Sequence, residues 1–174
     1  IRIDAANVKT FIVATTARDN ALDGIVVSSL ASGSRLTIAG SHFEANGRDG
    51  IRVLASGEAT IAGAISSGNH GNGILNQSAN MNVTSTTAAN NLGSGYVVFL
   101  AAGPLAIESS AATGNALRGL HVNSGSTARI SNSVFTSNGT GLENASGTLQ
   151  SRGNNTVAGN GTNTSGIITA LAGI

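Results

Sequence analysis

Short apolar alternations recur along this chain, each following an Asn, a few small or polar residues and a Gly. The clearest copy is Asn46-Gly47-Arg48-Asp49-Gly50-Ile51-Arg52-Val53. Copies of the Asn stand at Asn20, Asn46, Asn69, Asn91, Asn115, Asn138 and Asn160, in steps of 26, 23, 22, 24, 23 and 22 residues. The Gly recurs at Gly24, Gly50, Gly73, Gly95, Gly119, Gly141 and Gly166, followed by Ile25, Ile51, Ile74, Tyr96, Leu120, Leu142 and Ile167. A fixed period in that range predicts a solenoid, in which each repeat buries its apolar face only by stacking on a neighbour.

A second apolar pair lies about eleven residues after the first, at Phe11/Val13, Leu36/Ile38, Ala59/Ile61, Met81/Val83, Leu105/Ile107, Ala128/Ile130 and Leu149/Ser151. One residue separates the members of each pair, so both point to the same face of a strand. A third inward position follows at Phe43, Ala88, Ala112 and Phe135. Three inward segments per repeat predict an all-β fold of about seven to eight three-stranded coils, roughly 23 residues each, with the strands in three parallel sheets. Ile1-Arg2-Ile3 aligns with Ile51-Arg52-Val53, so the chain starts at a coil boundary.

The recurring Asn suits a sharp turn, because Asn tolerates left-handed backbone and its amide both donates and accepts. Stacked at one corner, Asn20, Asn46, Asn69, Asn91, Asn115, Asn138 and Asn160 would form an internal structural ladder. The recurring Gly is read as permitting the bend into the next strand.

Composition agrees with tightly turned strands around a narrow interior. Hydrophobic residues make up 40% of the 174 residues but aromatics only 3%, with 24 Gly and one Pro. The net charge is +1 and charged residues are 10% of the chain, which argues against disorder and offers no basic patch for nucleic acid. Apolar runs are too short for a transmembrane helix, so no membrane insertion is expected. Cys is absent, and with it disulfides, thiolate nucleophiles and cysteine metal sites.

The Asn-x(2–3)-Gly-[Ile/Leu] repeat, with second strands of the Leu36-Thr37-Ile38 kind, resembles right-handed parallel β-helix proteins of the pectate-lyase-like superfamily over nearly the whole chain. The ending Gly153-Asn154-Asn155-Thr156-Val157-Ala158-Gly159-Asn160 looks like the last coil of bacterial secreted members of unassigned role. The resemblance implies a right-handed coil and a secreted or cell-surface bacterial setting. Its activities range over pectate lyases, polygalacturonases, alginate epimerases and phage tailspikes, so it implies no single one. Residues 1–174 read as one β-helix domain without an N-terminal cap, whose open end or sheet face would associate with another copy.

Catalysis on a polysaccharide needs carboxylates facing one cleft, or a base beside a group that neutralises a uronate carboxylate. The chain has eight acidic residues. Asp23 and Asp49 each precede a recurring Gly and should stack at one corner, binding a cation, acting as acid and base, or forming a solvated corner balanced by Arg48 and Arg52. Outward positions of the first strands bring Arg118, His121 and Glu143 together near the last coils, with His121 as base and Arg118 as carboxylate partner. A surface cross-strand pair is the simpler reading. The same outer face carries Leu75, Gln77, Val97, Phe99 and Asn123, an apolar patch of the kind that contacts glycan or protein, or that a C-terminal segment such as Ile167-Ile168 would cover. His42 and His70 occupy unrelated positions in their coils, so no metal site is expected, and no cofactor beyond Ca²⁺ in the event of lyase chemistry.

Short repeats and few carboxylates favour a non-catalytic secreted or surface scaffold that contacts glycan or protein. The alternative is an extracellular lyase, epimerase or hydrolase acting on uronic-acid-containing glycans.

Overall fold

The computed structural model describes residues 1–4, 9–29, 33–54, 56–77, 79–99 and 103–171. These form a three-sided coil of parallel strands, with no helix among the described residues. The first sheet has eight strands: Arg2–Asp4, Ile25–Ser29, Ile51–Val53, Ile74–Asn76, Tyr96–Val98, Arg118–Val122, Thr140–Asn144 and Thr162–Ser165. The second sheet, also eight strands, runs from Lys9–Val13 to Ile168–Ala170, and the third, of seven, from Thr16–Arg18 to Thr156–Ala158. Consecutive members of every sheet pair in parallel and nearly in register, as the period requires.

The interior is a set of stacked apolar columns. Ile25, Ile51, Ile74, Tyr96, Leu120 and Leu142 point inward from the first sheet, Leu36, Ala59, Met81, Leu105, Ala128 and Leu149 from the second, and Phe43, Ala88, Ala112 and Phe135 from the third. The parallel sheets need no helical cover because their inner faces cover one another. Tyr96 is fully buried, and its hydroxyl donates to the carbonyls of Thr86 and Ala111 at 2.9 and 3.0 Å.

Two positions differ from the sequence reading. In the first coil the inward pair is Thr10 and Ile12, which pair with Leu36 and Ile38, while Phe11 and Val13 are exposed. The repeat is 26 residues long there, so counting back from Leu36 lands on Thr10, and a one-residue slip exchanges the two faces of a strand. In the last coil Leu142 pairs with Thr164, so Asn163 and Thr164 stand where Gly166 and Ile167 were expected, and Ile167 is exposed. Strand Thr162–Ser165 is polar and exposed throughout.

The asparagine ladder is continuous. From Asn20 to Asn138 each Nδ2 donates to the Oδ1 of the Asn one coil on, at 2.8–3.0 Å, ending on Asn160 Oδ1. The same Oδ1 also accepts the preceding Asn's backbone N–H at 2.9–3.2 Å. The left-handed residue of this corner is not the ladder Asn but the one before it: Asp19, Ala45, Gly68, Asn90, Gly114, Ser137 and Gly159 all have positive φ. The Asn is selected by its amide alone.

The recurring Gly also has a different reason from the one expected. Gly73 lacks a positive φ, but a Cβ there would come within 2.7 Å of the Gly95 carbonyl oxygen and 2.9 Å of Asn91 Nδ2. Close approach of adjacent coils, rather than a bend, forbids a side chain.

A second ladder, built from hydroxyls, stands between the second and third sheets. The N–H groups of Thr15, Ala64, Thr86 and Ser110 donate to the hydroxyl oxygens of Ser41, Thr86, Ser110 and Ser133, and the N–H of Ser133 donates to Asn155 Oδ1.

Candidate functional site

Strand register aligns the outward side chains of the first sheet in one row along the rod: Arg2, Val26, Arg52, Leu75, Val97, His121, Glu143 and Ser165. Two concavities lie along this face. One, of about 570 Å³, is lined by residues including Arg2, Asp23, Val26, Ser28, Arg48 and Leu54. The other, of about 290 Å³, is formed by Asn72, Leu75, Gln77, Ser94, Val97, Phe99, Leu117, Arg118 and His121. Arg52 borders both.

The second concavity has an apolar floor and a polar rim. Leu75 and Phe99 are half-buried, and Val97, although it faces outward, is only 6% exposed. The apolar patch therefore lies within a cleft rather than on a flat exposed surface. Ile168 belongs to the second sheet, where it pairs with Leu149, so the C-terminal pair does not cover this face. Gln77 lines the cleft, while Asn123 sits beside it with its Oδ1 accepting the N–H of Ser124 at 2.7 Å.

At the far end of the cleft Arg118, His121 and Glu143 meet. His121 and Glu143 are cross-strand partners, and His121 Nδ1 lies 2.6 Å from Glu143 Oε2. Arg118 Nε closes on the same oxygen. Neither His121 Nδ1 nor Glu143 Oε2 has a well-aligned hydrogen bond. Burial pushes the His121 imidazolium down from its ordinary pKa and the Arg118 charge adds to this, against the opposing pull of Glu143. The balance favours the neutral form of the imidazole.

Asp23 and Asp49 stack as expected, but they serve a third ladder. The N–H of Asp49 donates to Asp23 Oδ1 at 3.1 Å. Asp49 Oδ1 accepts from the N–H and Nδ2 of Asn72 at 2.7 and 3.0 Å, and Asn72 Oδ1 accepts from the N–H of Ser94 at 2.9 Å. The corner is not solvated: Asp49 is 6% exposed, and burial raises its pKa against the two Asn72 bonds. Oxygens committed to amides do not suit Ca²⁺, which takes six to eight oxygen ligands. Among the described residues no group of three or more His, Asp or Glu is placed to hold a metal ion.

Arg52 escaped the sequence reading, which set it with Arg48 as charge balance for the Asp pair. Among the described residues Arg48 alone approaches that pair, at 3.7 Å from Asp23 Oδ1. Arg52 makes no ion pair among the described residues, and its Nε is both buried and without a hydrogen-bond partner. Its place two residues after Gly50, in the row that holds Leu75 and His121, was the available signal.

The family described as right-handed beta helix region matches residues 1–162 of the chain. Among solved structures, the chain is similar to the crystal structure of the periplasmic alginate epimerase AlgG, with 13% identity and a TM-score of 0.48. The match covers 93% of this chain and 47% of the other, so the chain spans about half the length of that protein. No curated protein matches the sequence.

Proposed function

The chain belongs to the right-handed β-helix family, and we propose that it is a secreted or surface scaffold that binds glycan along the outer face of its first sheet without cleaving it. The observation that carries this reading is the cleft over Leu75, Val97 and Phe99, an apolar floor rimmed by Asn72, Gln77 and Ser94. Small-ligand sites are concave, mostly apolar and set with a few polar groups. A sugar ring presents the complementary surface, C–H faces to the floor and hydroxyls to the rim. The rigid stack of coils keeps neighbouring side chains at a fixed spacing of about 4.8 Å, which suits an extended polymer lying along the rod.

A second reading rests on His121. An imidazole biased toward its neutral form, close to a guanidinium, has the elements of proton abstraction beside a uronate carboxylate, as in a lyase or epimerase. Against it, Glu143 already engages both Arg118 and His121, which leaves the arginine committed before any substrate arrives.

The test is a pair of assays on pectic, alginate and neutral glycans. Binding is measured for wild type and Phe99→Ala, and reducing ends and unsaturated products are followed with and without Ca²⁺ for wild type and His121→Ala. The scaffold reading expects binding that weakens in Phe99→Ala and no turnover. Turnover abolished by His121→Ala would replace it with the enzymatic one.

A further inference from the structure

We infer that Arg52 is an anion receptor, so that the polymer held on the first sheet is acidic, with a carboxylate or sulfate group seated against this guanidinium. The inference rests on the glycan reading and adds the chemical class of the ligand.

Arginine on this protein normally comes with a counter-charge. Arg2, Arg18, Arg35, Arg48 and Arg118 approach Asp4, Asp19, Glu58, Asp23 and Glu143, and Arg129 donates to Gln150. Lys9 and Arg152 are exposed and solvated. Arg52 differs from both groups. It is half-buried, its Nε is shut off from solvent with nothing to donate to, and its neighbours in the row are Val26 and Leu75.

The two carboxylates of the adjoining corner are committed elsewhere, Asp49 to Asn72 and Asp23 to the Asp49 amide and Arg48. A buried donor without a partner costs free energy, and a cation most of all. An anion arriving from outside removes that cost, and the planar guanidinium fork receives two oxygens of a carboxylate or sulfate together.

Position supports the same conclusion. Arg52 stands where the two concavities meet, with apolar Leu75, Val97 and Phe99 on one side and Val26 and Leu54 on the other. A polymer crossing from one hollow to the other passes over it. Arg118, on the strand three spacings or roughly 14 Å along the sheet, is neutralised by Glu143, which leaves Arg52 as the unpaired cation of the face among the described residues.

The test titrates wild type, Arg52→Gln and Arg52→Lys at constant ionic strength with polygalacturonate, its full methyl ester, dextran sulfate and dextran. Wild type should prefer one acidic polymer over its neutral counterpart by about tenfold or more, as expected of a charge-assisted pair. The acidic polymer preferred distinguishes carboxylate from sulfate. Arg52→Gln should lose that preference and keep the neutral-polymer affinity, and Arg52→Lys should recover only part of it, since an ammonium lacks the fork. Thermal unfolding of both variants should be no lower than that of wild type, because the side chain makes no pair to lose.

Equal binding of acidic and neutral polymers, or a preference that survives Arg52→Gln, overturns the inference while leaving the glycan reading in place. A second readout is independent of polymer binding. The Arg52 Nε–H resonance should shift saturably on titration with sodium galacturonate or sodium sulfate, and a resonance that does not move overturns the proposal even if no polymer binds.

Discussion

Asn69 donates to Asn91 Oδ1 twice, from its side-chain Nδ2 at 2.9 Å and from its backbone N–H at 3.0 Å. Asn91 in turn donates from its own Nδ2 to the Ser66 carbonyl and to Asn115 Oδ1. Removing this side chain leaves buried partners unpaired on both sides, so Asn91→Ala should lower stability by about 2–4 kcal/mol. Asn160, at the less buried end of the stack, should lose only about 1 kcal/mol on the same change. Urea unfolding of the two variants measures the difference.

Gly73 and Gly63 are required for opposite reasons. A Cβ at Gly73 would press on the Gly95 carbonyl oxygen, Ala88 and Asn91, all fixed by the stack. Gly73→Ala should therefore cost about 1–3 kcal/mol. Gly63 has φ +60 with its nearest neighbour 4.0 Å from a Cβ, and the equivalent corners carry Ala14, Ser85, Ser109 and Asn132. Gly63→Asn should change the unfolding midpoint little.

Asp49 carries its charge in a buried corner beside Asp23, and its pKa is raised above that of the unfolded chain. The charged form is thus penalised on folding, a cost that is fully present above the folded pKa and vanishes as pH falls below the unfolded one. Asp49→Asn keeps an oxygen for Asn72 and removes the charge. It should be more stable than wild type at pH 7, with the gap closing as acid protonates the wild-type carboxyl. Thermal melts across that range show whether the gap closes.

The charge balance at the cleft's end makes opposite forecasts for two neighbours of His121. Arg118 depresses the imidazole pKa and Glu143 raises it. Arg118→Gln should move the His121 titration up, and Glu143→Gln should move it down, as followed by the imidazole proton resonances. Shifts of the same sign in both variants would mean that the three side chains do not share one field.

Much of the fold was legible because one corner is chemically demanding. Only an amide both gives and accepts along a ladder, so Asn46, Asn69, Asn91, Asn115 and Asn138 repeat visibly and set the strand period. The hydroxyl ladder was hidden because Ser, Thr and Asn all serve there, and Ala64 interrupts it. Thr10 and Ile12 were missed because Phe11 and Val13 are the more apolar pair, although they face outward on the second sheet. At the site, register alone joined Arg118, His121 and Glu143. Arg52 was lost because chain neighbours suggested pairing with Asp49, whereas successive strand and turn residues point in different directions.

The central claim is that the outer face of the first sheet is the ligand surface, and chemical-shift mapping with an acidic oligosaccharide tests it most directly. Saturable shifts confined to Arg52, Leu75, Gln77, Val97, Phe99 and their strand neighbours are the predicted result. Shifts concentrated on the second or third sheet, or none at any ligand concentration for neutral and acidic oligosaccharides alike, would contradict it.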